Sequence, residues 1–306
     1  MKISIIGAGN VGATLAGRIL ERDLADVILI DINAGLAKGK ALDLMQSASI
    51  LGFQSVCVGG DDYNLIKDSD LVVITAGLPR KPGMSRDDLL KKNMEIVKEV
   101  SLNIKKYSSE TIILVVTNPL DIMVYAVLKT TGFKREKVIG MAGVLDSARF
   151  SFNIADALKV PIRTVESMVL GMHSDGMIPL VSNARISETD IEQLAAKEKI
   201  EEITGRTKNG GAEIVSLLGS GSAYFAPSAA AFFMAEAILK DTKKIVPASV
   251  YLKGEYGLDD VCIGVPVELC AKGMKRVVEI KLPKEEERAL KESAGTLKEK
   301  LSQLSF

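Results

Sequence analysis

A single histidine, His173, lies in this 306-residue chain, within the segment Leu-Gly-Met-His-Ser-Asp-Gly-Met-Ile-Pro at residues 170–179. Imidazole is the side chain whose ordinary pKa lies close to neutral pH, so it is suited to accept and return a proton. A lone histidine is also, in many proteins, an ordinary surface or core residue. The other residues of the sequence therefore have to distinguish a catalytic histidine from a structural one.

Two further groups of charged residues could act together with such a base. Asp146 and Arg149 are three residues apart in a segment with helical character, so they would share one face of a helix. Alone, this spacing is most simply explained by a surface ion pair. Arg80 and Arg86 belong to a glycine-containing segment, which is either a basic lid over an anionic substrate or a solvated loop. Together with the histidine, these residues offer a base, a carboxylate that orients it and guanidinium groups that bind carboxylates.

A glycine motif follows the first apolar run of the chain. Gly7, Gly9 and Gly12 form the pattern G-x-G-x-x-G, and Asp31 follows Gly12 by 19 residues at the end of the next apolar run. In this context the pattern is typical of a Rossmann-type dinucleotide site, where the glycines permit a tight turn, approach of the pyrophosphate and close helix packing. A carboxylate at Asp31 would bind the ribose hydroxyls and repel a 2′-phosphate, which favours NAD over NADP. An ordinary glycine-rich turn is the remaining interpretation.

The composition argues against several classes of protein. Lys plus Arg and Asp plus Glu number 39 each, so there is no net charge to attract nucleic acid or an anionic membrane. No apolar run approaches the roughly 20 residues of a membrane span. The three cysteines have no metal-type spacing and there is one histidine, so we predict no metal site and no disulfide framework, in a reducing cytoplasm.

Strand-like and helix-like segments alternate in the first half of the chain. Continuous Val/Ile runs separated by helices predict buried parallel strands in a doubly wound α/β sheet. The predicted strands are residues 3–6, 27–30, 71–75, 112–116 and 138–140, and a long helix is predicted over residues 34–49.

The second half of the chain mixes helices and strands without this regular alternation. We predict an α+β domain there and divide the chain into residues 1–142 and 143–306. The predicted elements are helices at residues 146–158, 210–218 and 228–239, strands at 246–252, 261–267 and 277–280, and an amphipathic helix after Pro283.

These motifs occur in the order typical of one enzyme family. From end to end the chain resembles the lactate/malate dehydrogenase family, and within it the lactate-dehydrogenase-like malate dehydrogenases of prokaryotes. The stretches that carry the resemblance are residues 7–12, 39–44, 76–86, 116–119, 143–150, 170–179, 210–215 and 221–227.

The resemblance implies NAD-dependent oxidation of (S)-malate to oxaloacetate. By this resemblance His173 would accept the hydroxyl proton as hydride leaves C2, and Asp146 would hold the imidazole in the right tautomer. Arg149 would bind the C1 carboxylate and Arg86 would polarise the C2 oxygen. Arg80 would pair with the second carboxylate, which distinguishes malate and oxaloacetate from lactate and pyruvate.

The resemblance also implies a cofactor site and an assembly. Asn118 would hydrogen-bond the substrate and also contact the cofactor, and the protein would be a homodimer or a homotetramer. The full set of cofactor-binding residues would be Gly7, Ala8, Gly9, Asn10, Val11, Gly12, Asp31, Asn93, Val116, Thr117 and Asn118.

The chain departs from the family pattern beside the histidine. Met172 and Ser174 stand where the family usually has glycine, and Gly176 replaces a commonly larger residue. The added side chains restrict the backbone of a catalytic turn. The alternatives are a lactate dehydrogenase or a non-catalytic NAD-binding sensor. The NAD-dependent glycosidases share the cofactor fold, but they have a Cys/His metal site for which this chain lacks the histidines.

Overall fold

The computed structural model describes residues 1–78 and 86–304, without the side chains of Arg86 and Asp87. In the first half, strands and helices alternate as predicted. The elements are β1 (Lys2–Ile6), α1 (Asn10–Glu21), β2 (Asp26–Ile30), α2 (Ala34–Gln46), α3 (Ala48–Leu51), β3 (Cys57–Gly60), β4 (Leu71–Ile74), α4 (Arg86–Tyr107), β5 (Ile112–Val115), α5 (Leu120–Thr131) and β6 (Val138–Gly140).

These six strands form a parallel sheet in the order β3-β2-β1-β4-β5-β6. The predicted doubly wound architecture is confirmed, since the chain builds one side of the sheet from β1 to β3 and then crosses to β4. The strand order therefore reverses between β1 and β4. In sheets of this kind, ligands bind at the carboxyl ends of the strands beside that reversal.

Strand β3 is absent from the sequence-based prediction, and close packing explains why. Its sequence is Cys-Val-Gly-Gly, with too few apolar residues to form a recognisable run. A Cβ atom at Gly59 would lie only 2.2 Å from the carbonyl oxygen of Ala37 in α2. The strand thus consists partly of glycine because the helix backbone lies directly against it.

The second half of the chain contains both helices and antiparallel strands. Its elements are α6 (Gly143–Leu158), β7 (Val165–Glu166), β8 (Val169–Gly171), β9 (Met177–Pro179), β10 (Arg185–Ile186), β11 (Thr189–Asp190), α7 (Ile191–Leu194), α8 (Lys197–Leu218), α9 (Phe225–Leu239), β12 (Ile245–Lys253), β13 (Asp259–Cys270), β14 (Gly273–Val277) and α10 (Lys284–Ser302).

The two halves share one sheet. Strand β12 pairs with β6 through Ser249 and Gly140, and β13 pairs antiparallel with β12, β14 and β8. Strands β7, β10 and β11 form a separate small sheet. The mixed α+β character predicted for this half is confirmed, and its strands β8, β9, β12, β13 and β14 extend the parallel sheet.

Two predicted helices differ in extent from those observed. The helix predicted over residues 34–49 is interrupted at Ser47, whose hydroxyl donates a hydrogen bond to the carbonyl oxygen of Leu44. The helix predicted over residues 210–218 is the last part of α8, which begins at Lys197. Its earlier turns are rich in Lys and Glu, so the apolar pattern on which the prediction relied is weak there.

The strand predicted over residues 277–280 is wrong except at its first residue. Strand β14 begins at Gly273, which pairs with Cys270 of β13 across a tight turn. Gly273 has a φ of +99°, and a Cβ there would lie 2.1 Å from the carbonyl oxygen of Glu136. The position of this turn, rather than the apolar run, therefore sets the bounds of the strand.

Helix α10 is amphipathic, as predicted. Leu290, Leu297 and Leu301 are buried against the main core, while its charged residues face outward. Within residues 1–78 and 86–304, no helix combines the length and the apolar character that crossing a membrane would require.

Candidate active site

The glycine loop between β1 and α1 is tightly built. Gly7 has a φ of +111°, and a Cβ there would lie 2.7 Å from the amide nitrogen of Ala76, beyond the end of β4. A Cβ at Gly12 would lie 2.0 Å from the carbonyl oxygen of Gly7. A Cβ at Gly9 would meet no heavy atom of the described residues within 4 Å. Gly7 and Gly12 thus make the turn, and Gly9 leaves its backbone open to a ligand.

The amino end of α1 is available for an anion. Gly9 is the N-cap residue, and no side chain caps the helix. The first turn contains no acidic residue. The first N–H groups of a helix have no partner within the helix, and they favour phosphate or carboxylate groups.

Asp31, at the end of β2, is bonded to the glycine loop. Its Oδ2 accepts a hydrogen bond from the N–H of Ala8 (2.7 Å), and its Oδ1 accepts one from the N–H of Asn33 (2.9 Å). Lys40 of α2 donates to the carbonyl oxygen of Ala8 at 2.7 Å. Lys40 lies in the family stretch at residues 39–44 but is not among the predicted cofactor-binding residues. Asp31 and Lys40 together hold both main-chain polar groups of one loop residue, Ala8.

Asn93 of α4 joins two strand ends. Its Oδ1 accepts a hydrogen bond from the N–H of Leu78, and its Nδ2 donates to the carbonyl oxygen of Asn118, both at 2.8 Å. The side chain is buried. Thr117 is also buried, and its hydroxyl donates to the carbonyl oxygen of Ala76 at 2.7 Å. The amide of Asn93 is thus bonded to backbone groups that border the predicted cofactor cleft.

The side chains of His173 and Asp146 meet although they are 27 residues apart. His173 Nδ1 lies 2.6 Å from Asp146 Oδ2, with the histidine side chain 13% exposed and the aspartate 2% exposed. Burial lowers the pKa of His173, but the charge of Asp146 and its hydrogen bond outweigh this effect, so the pKa is raised above its ordinary value. The pair is suited to proton transfer because the carboxylate stabilises the protonated imidazole.

Arg149 binds the other oxygen of the same carboxylate. Its Nη1 donates to Asp146 Oδ1 at 3.1 Å, across one turn of α6. The Nε of Arg149 is buried and has no hydrogen-bond partner among residues 1–78 and 86–304. A buried N–H group without an acceptor is costly, so this guanidinium is available for an anionic ligand.

Helix α8 approaches Arg149 at two glycines. A Cβ at Gly210 would lie 3.3 Å from Arg149 Cδ, and one at Gly211 would lie 3.8 Å from its Nη2. Residues 210–215 carry part of the family resemblance and part of the helix predicted over residues 210–218, but neither feature relates them to Arg149. The structure gives this stretch a physical basis, since the missing side chains make room for the arginine.

Asp121, on the first turn of α5, was missed by the sequence analysis. It is buried, and its Oδ2 accepts a hydrogen bond from the N–H of His173 at 2.8 Å. The residue follows the Asn118-Pro119 motif by two positions, which is the one sequence signal near it. Nothing in the spacing of the chain relates Asp121 to the histidine.

The glycine loop and the cluster of His173, Asp146 and Arg149 are connected through one edge of the sheet. Gly7 lies against Ala76, and the carbonyl oxygen of Ala76 accepts a hydrogen bond from Thr117. Four residues after Thr117, Asp121 of α5 accepts the N–H of His173. The glycine loop and the His–Asp–Arg cluster therefore belong to one region at the carboxyl ends of the parallel strands.

Some predicted residues lie beyond what the structure describes. Arg80 and the side chain of Arg86 are outside the described residues. Asn118 is exposed, whereas Val116 is buried. The described parts of the chain contain no group of three or more His, Cys, Asp or Glu residues arranged to hold a metal ion.

Comparisons with known proteins agree over the whole chain. Family models of the lactate/malate dehydrogenase NAD binding domain and of its alpha/beta C-terminal domain match residues 1–140 and 143–305. A malate dehydrogenase of Methanosarcina barkeri is 49% identical over 305 residues, covering 100% of this chain and 99% of that protein. The crystal structure of a Cryptosporidium parvum malate dehydrogenase superposes with a TM-score of 0.96 at 41% identity, covering 99% of both chains. The crystal structure of a C. parvum lactate dehydrogenase complexed with lactic acid and nicotinamide adenine dinucleotide superposes with a TM-score of 0.94 at 38% identity, covering 99% of this chain and 98% of that one.

Proposed function

Because the chain belongs to the lactate/malate dehydrogenase family, we propose that it is an NAD-dependent malate dehydrogenase that interconverts (S)-malate and oxaloacetate. The observation that carries this proposal is the 2.6 Å contact between His173 Nδ1 and Asp146 Oδ2, with Arg149 on the second carboxylate oxygen. Oxidation of a 2-hydroxy acid requires a proton acceptor and a cation for the substrate carboxylate, and this cluster contains both.

The residues around the glycine loop fit a dinucleotide. The open backbone at Gly9 and the uncapped amino end of α1 would receive the pyrophosphate, and Asp31 would accept hydrogen bonds from the ribose. When bound, NAD supplies the redox chemistry by accepting a hydride from C2 of malate. The protein contributes binding, orientation and control of the proton.

His173 would manage the proton of the C2 hydroxyl. The hydrogen bond to Asp146 assigns the neutral tautomer with the proton on Nδ1, which leaves the lone pair of Nε2 for the substrate. Nε2 takes the hydroxyl proton during oxidation and returns it during reduction of oxaloacetate. Asp146 stays ionised and stabilises the imidazolium.

Four residues would bind the rest of the substrate. The buried Nε and the remaining N–H groups of Arg149 would grip the C1 carboxylate. Asn118 would hydrogen-bond the substrate, Arg86 would polarise the C2 oxygen and Arg80 would pair with the C4 carboxylate. These last assignments follow from the family motifs.

The same geometry would serve a lactate dehydrogenase, and the similar fold of the C. parvum lactate dehydrogenase makes this the second candidate. NADH oxidation should be measured with oxaloacetate and with pyruvate in parallel. We expect a higher kcat/KM with oxaloacetate. A preference for pyruvate would establish the second candidate, and NADH binding without turnover of either acid would indicate a sensor.

We propose further that the chain divides near residue 142 and that the enzyme works in the cytoplasm. The division is supported by the two family models, which meet between residues 140 and 143. The location is supported by the three cysteines, which are all buried as free thiols.

We also propose that the enzyme is a homo-oligomer, a dimer or a tetramer. Large apolar side chains are exposed on the outer helices, with Leu42 and Ile50 on α2 and α3 exposed by 61% and 84%, and Leu217 on α8 by 81%. A second copy of the chain covering such residues would remove them from water. Sedimentation equilibrium would give the mass, and a monomer at micromolar concentration would contradict the proposal.

A further inference from the structure

The main chain of the histidine turn is held by a charged group. Asp121 Oδ2 accepts the N–H of His173 at 2.8 Å, and the aspartate is only 3% exposed. Its Oδ1 and the nearby Ser249 hydroxyl are both buried, and neither has a hydrogen-bond partner of good geometry among the described residues. Because a buried carboxylate without full hydrogen bonding is costly, its presence beside a predicted catalytic histidine calls for an explanation.

The neighbouring peptide group is held by an uncharged group. Ser293 of α10 is buried, and its Oγ accepts the N–H of Met172 at 3.0 Å. Two consecutive N–H groups are thus held from two different helices, one by a hydroxyl and one by a carboxylate. A hydroxyl therefore suffices to hold the backbone here, and the charge of Asp121 has to have another effect.

The charges around the histidine show what that effect is. The charged groups that face His173 are the carboxylates of Asp146 and Asp121 and the guanidinium of Arg149. Protonation of the imidazole therefore neutralises this cluster. Cys262 of β13, which faces Asp121, is buried, and burial together with the Asp121 charge raises the pKa of this thiol, so it stays neutral.

The position of Asp121 on α5 counteracts part of the effect of its burial. It lies in the first turn of the helix, where the helix dipole stabilises a negative charge. Burial nevertheless raises the pKa of Asp121 above its ordinary value, although the Ser249 hydroxyl, the His173 N–H and the charge of His173 act in the opposite direction.

We propose that Asp121 is a positioning residue for the proposed reaction: its carboxylate holds the main chain of His173 and places a second negative charge beside the imidazole, which stabilises the protonated ring. Asp146 orients the ring, and Asp121 acts through the backbone and through its charge. The role depends on the proposed function only in that His173 is the proton carrier.

The test compares Asp121→Asn with Ser293→Ala. Asp121→Asn keeps an oxygen that can accept the His173 N–H and removes the charge. Ser293→Ala removes the uncharged hydroxyl that accepts the N–H of Met172. Because His173 is the only histidine, its imidazole NMR signals titrate without overlap. We expect the His173 titration and the pH midpoint of kcat/KM for oxaloacetate to move down by about one pH unit in Asp121→Asn. Both should stay in place in Ser293→Ala.

Two outcomes would overturn the proposal: an unmoved titration in Asp121→Asn, or an equal shift in both variants. Should Asp121→Asn fail to fold, the wild-type protein with ¹³C-labelled aspartate carboxyls provides the answer. Asp121 must then be ionised over the pH range in which His173 titrates, and a protonated Asp121 there would contradict its role. The NMR titration needs no substrate. A protein that turned over neither oxaloacetate nor pyruvate would refute the proposed function and leave this measurement interpretable.

Discussion

The Nδ1 atom of His173 lies 2.6 Å from Oδ2 of Asp146, in a pair of which the aspartate is 2% exposed. This contact joins the turn after β8 to the first turn of α6. It fixes which nitrogen of the imidazole faces the carboxylate and leaves the other nitrogen for a substrate. The first two predictions concern this pair.

We expect His173→Asn to bind NADH normally and to lose at least about a hundredfold in kcat, since that is the usual contribution of acid–base catalysis. Asparagine retains polar groups near Asp146 but cannot carry a proton between substrate and solvent. NADH fluorescence titration and steady-state rates measure the two effects separately. Near-normal turnover would show that the histidine is structural.

The raised pKa of His173 sets the pH dependence. Reduction of oxaloacetate needs the protonated ring, so kcat/KM should fall as pH rises through the His173 pKa, with a midpoint above 6.5. Oxidation of malate needs the neutral ring and should rise over the same range. Asp146→Asn should move both midpoints to lower pH, because it removes the charge that raises the pKa. A wild-type midpoint below 6.5 would contradict this assignment.

Asp31→Ser should reduce the preference for NADH over NADPH. It removes the carboxylate that binds the ribose hydroxyls and repels a 2′-phosphate. Because Asp31 also accepts a hydrogen bond from the N–H of Ala8, a control has to separate loss of the carboxylate from distortion of the glycine loop. Lys40→Met removes the hydrogen bond to the carbonyl oxygen of Ala8 and should weaken the binding of NADH and NADPH equally. Equal wild-type kcat/KM values for NADH and NADPH would refute this role of Asp31.

Arg80→Gln should lower kcat/KM with oxaloacetate and raise the pyruvate-to-oxaloacetate ratio at least about tenfold. Losing one partner of a desolvated ion pair costs roughly 2–5 kcal/mol. Arg80 lies outside the described residues, so this prediction rests on the family motif. Lys81→Gln is the matched control, and it should leave the ratio unchanged. An unchanged ratio in Arg80→Gln would move the choice of substrate to another residue.

Gly176 and Met172 should be energetically coupled. A Cβ at Gly176 would lie 3.0 Å from Met172 Cε and 3.1 Å from Ser293 Oγ, tighter than ordinary contacts. We expect Gly176→Ala to destabilise the protein by about 1 kcal/mol and Met172→Ala to relieve part of that cost. Urea unfolding of both single variants and of the double variant gives the coupling energy. Simple additivity would show that the two departures from the family pattern are independent.

Much of the fold and of the site is determined by short stretches of sequence. The Val/Ile runs of the parallel strands are buried on both faces, and the glycines at residues 7 and 12 stand where any side chain would collide with backbone. Such requirements are local, so a pattern of residue types is enough to reveal them. His173, Asp146 and Arg149 could be grouped before the structure because each lies in a stretch that carries the family resemblance.

Other features were decided by the tertiary structure alone. Asp121 reaches the N–H of His173 across 52 residues, and Ser293 reaches the N–H of Met172 across 121. Strand β3 and the start of β14 depend on the carbonyl oxygens of Ala37 and Glu136, which lie far from them in the chain. Periodicity tells which face of an element is buried but not which distant group it meets there. Which distant group an element contacts is set by how the helices pack around the sheet, because each buried polar atom there needs a hydrogen-bond partner.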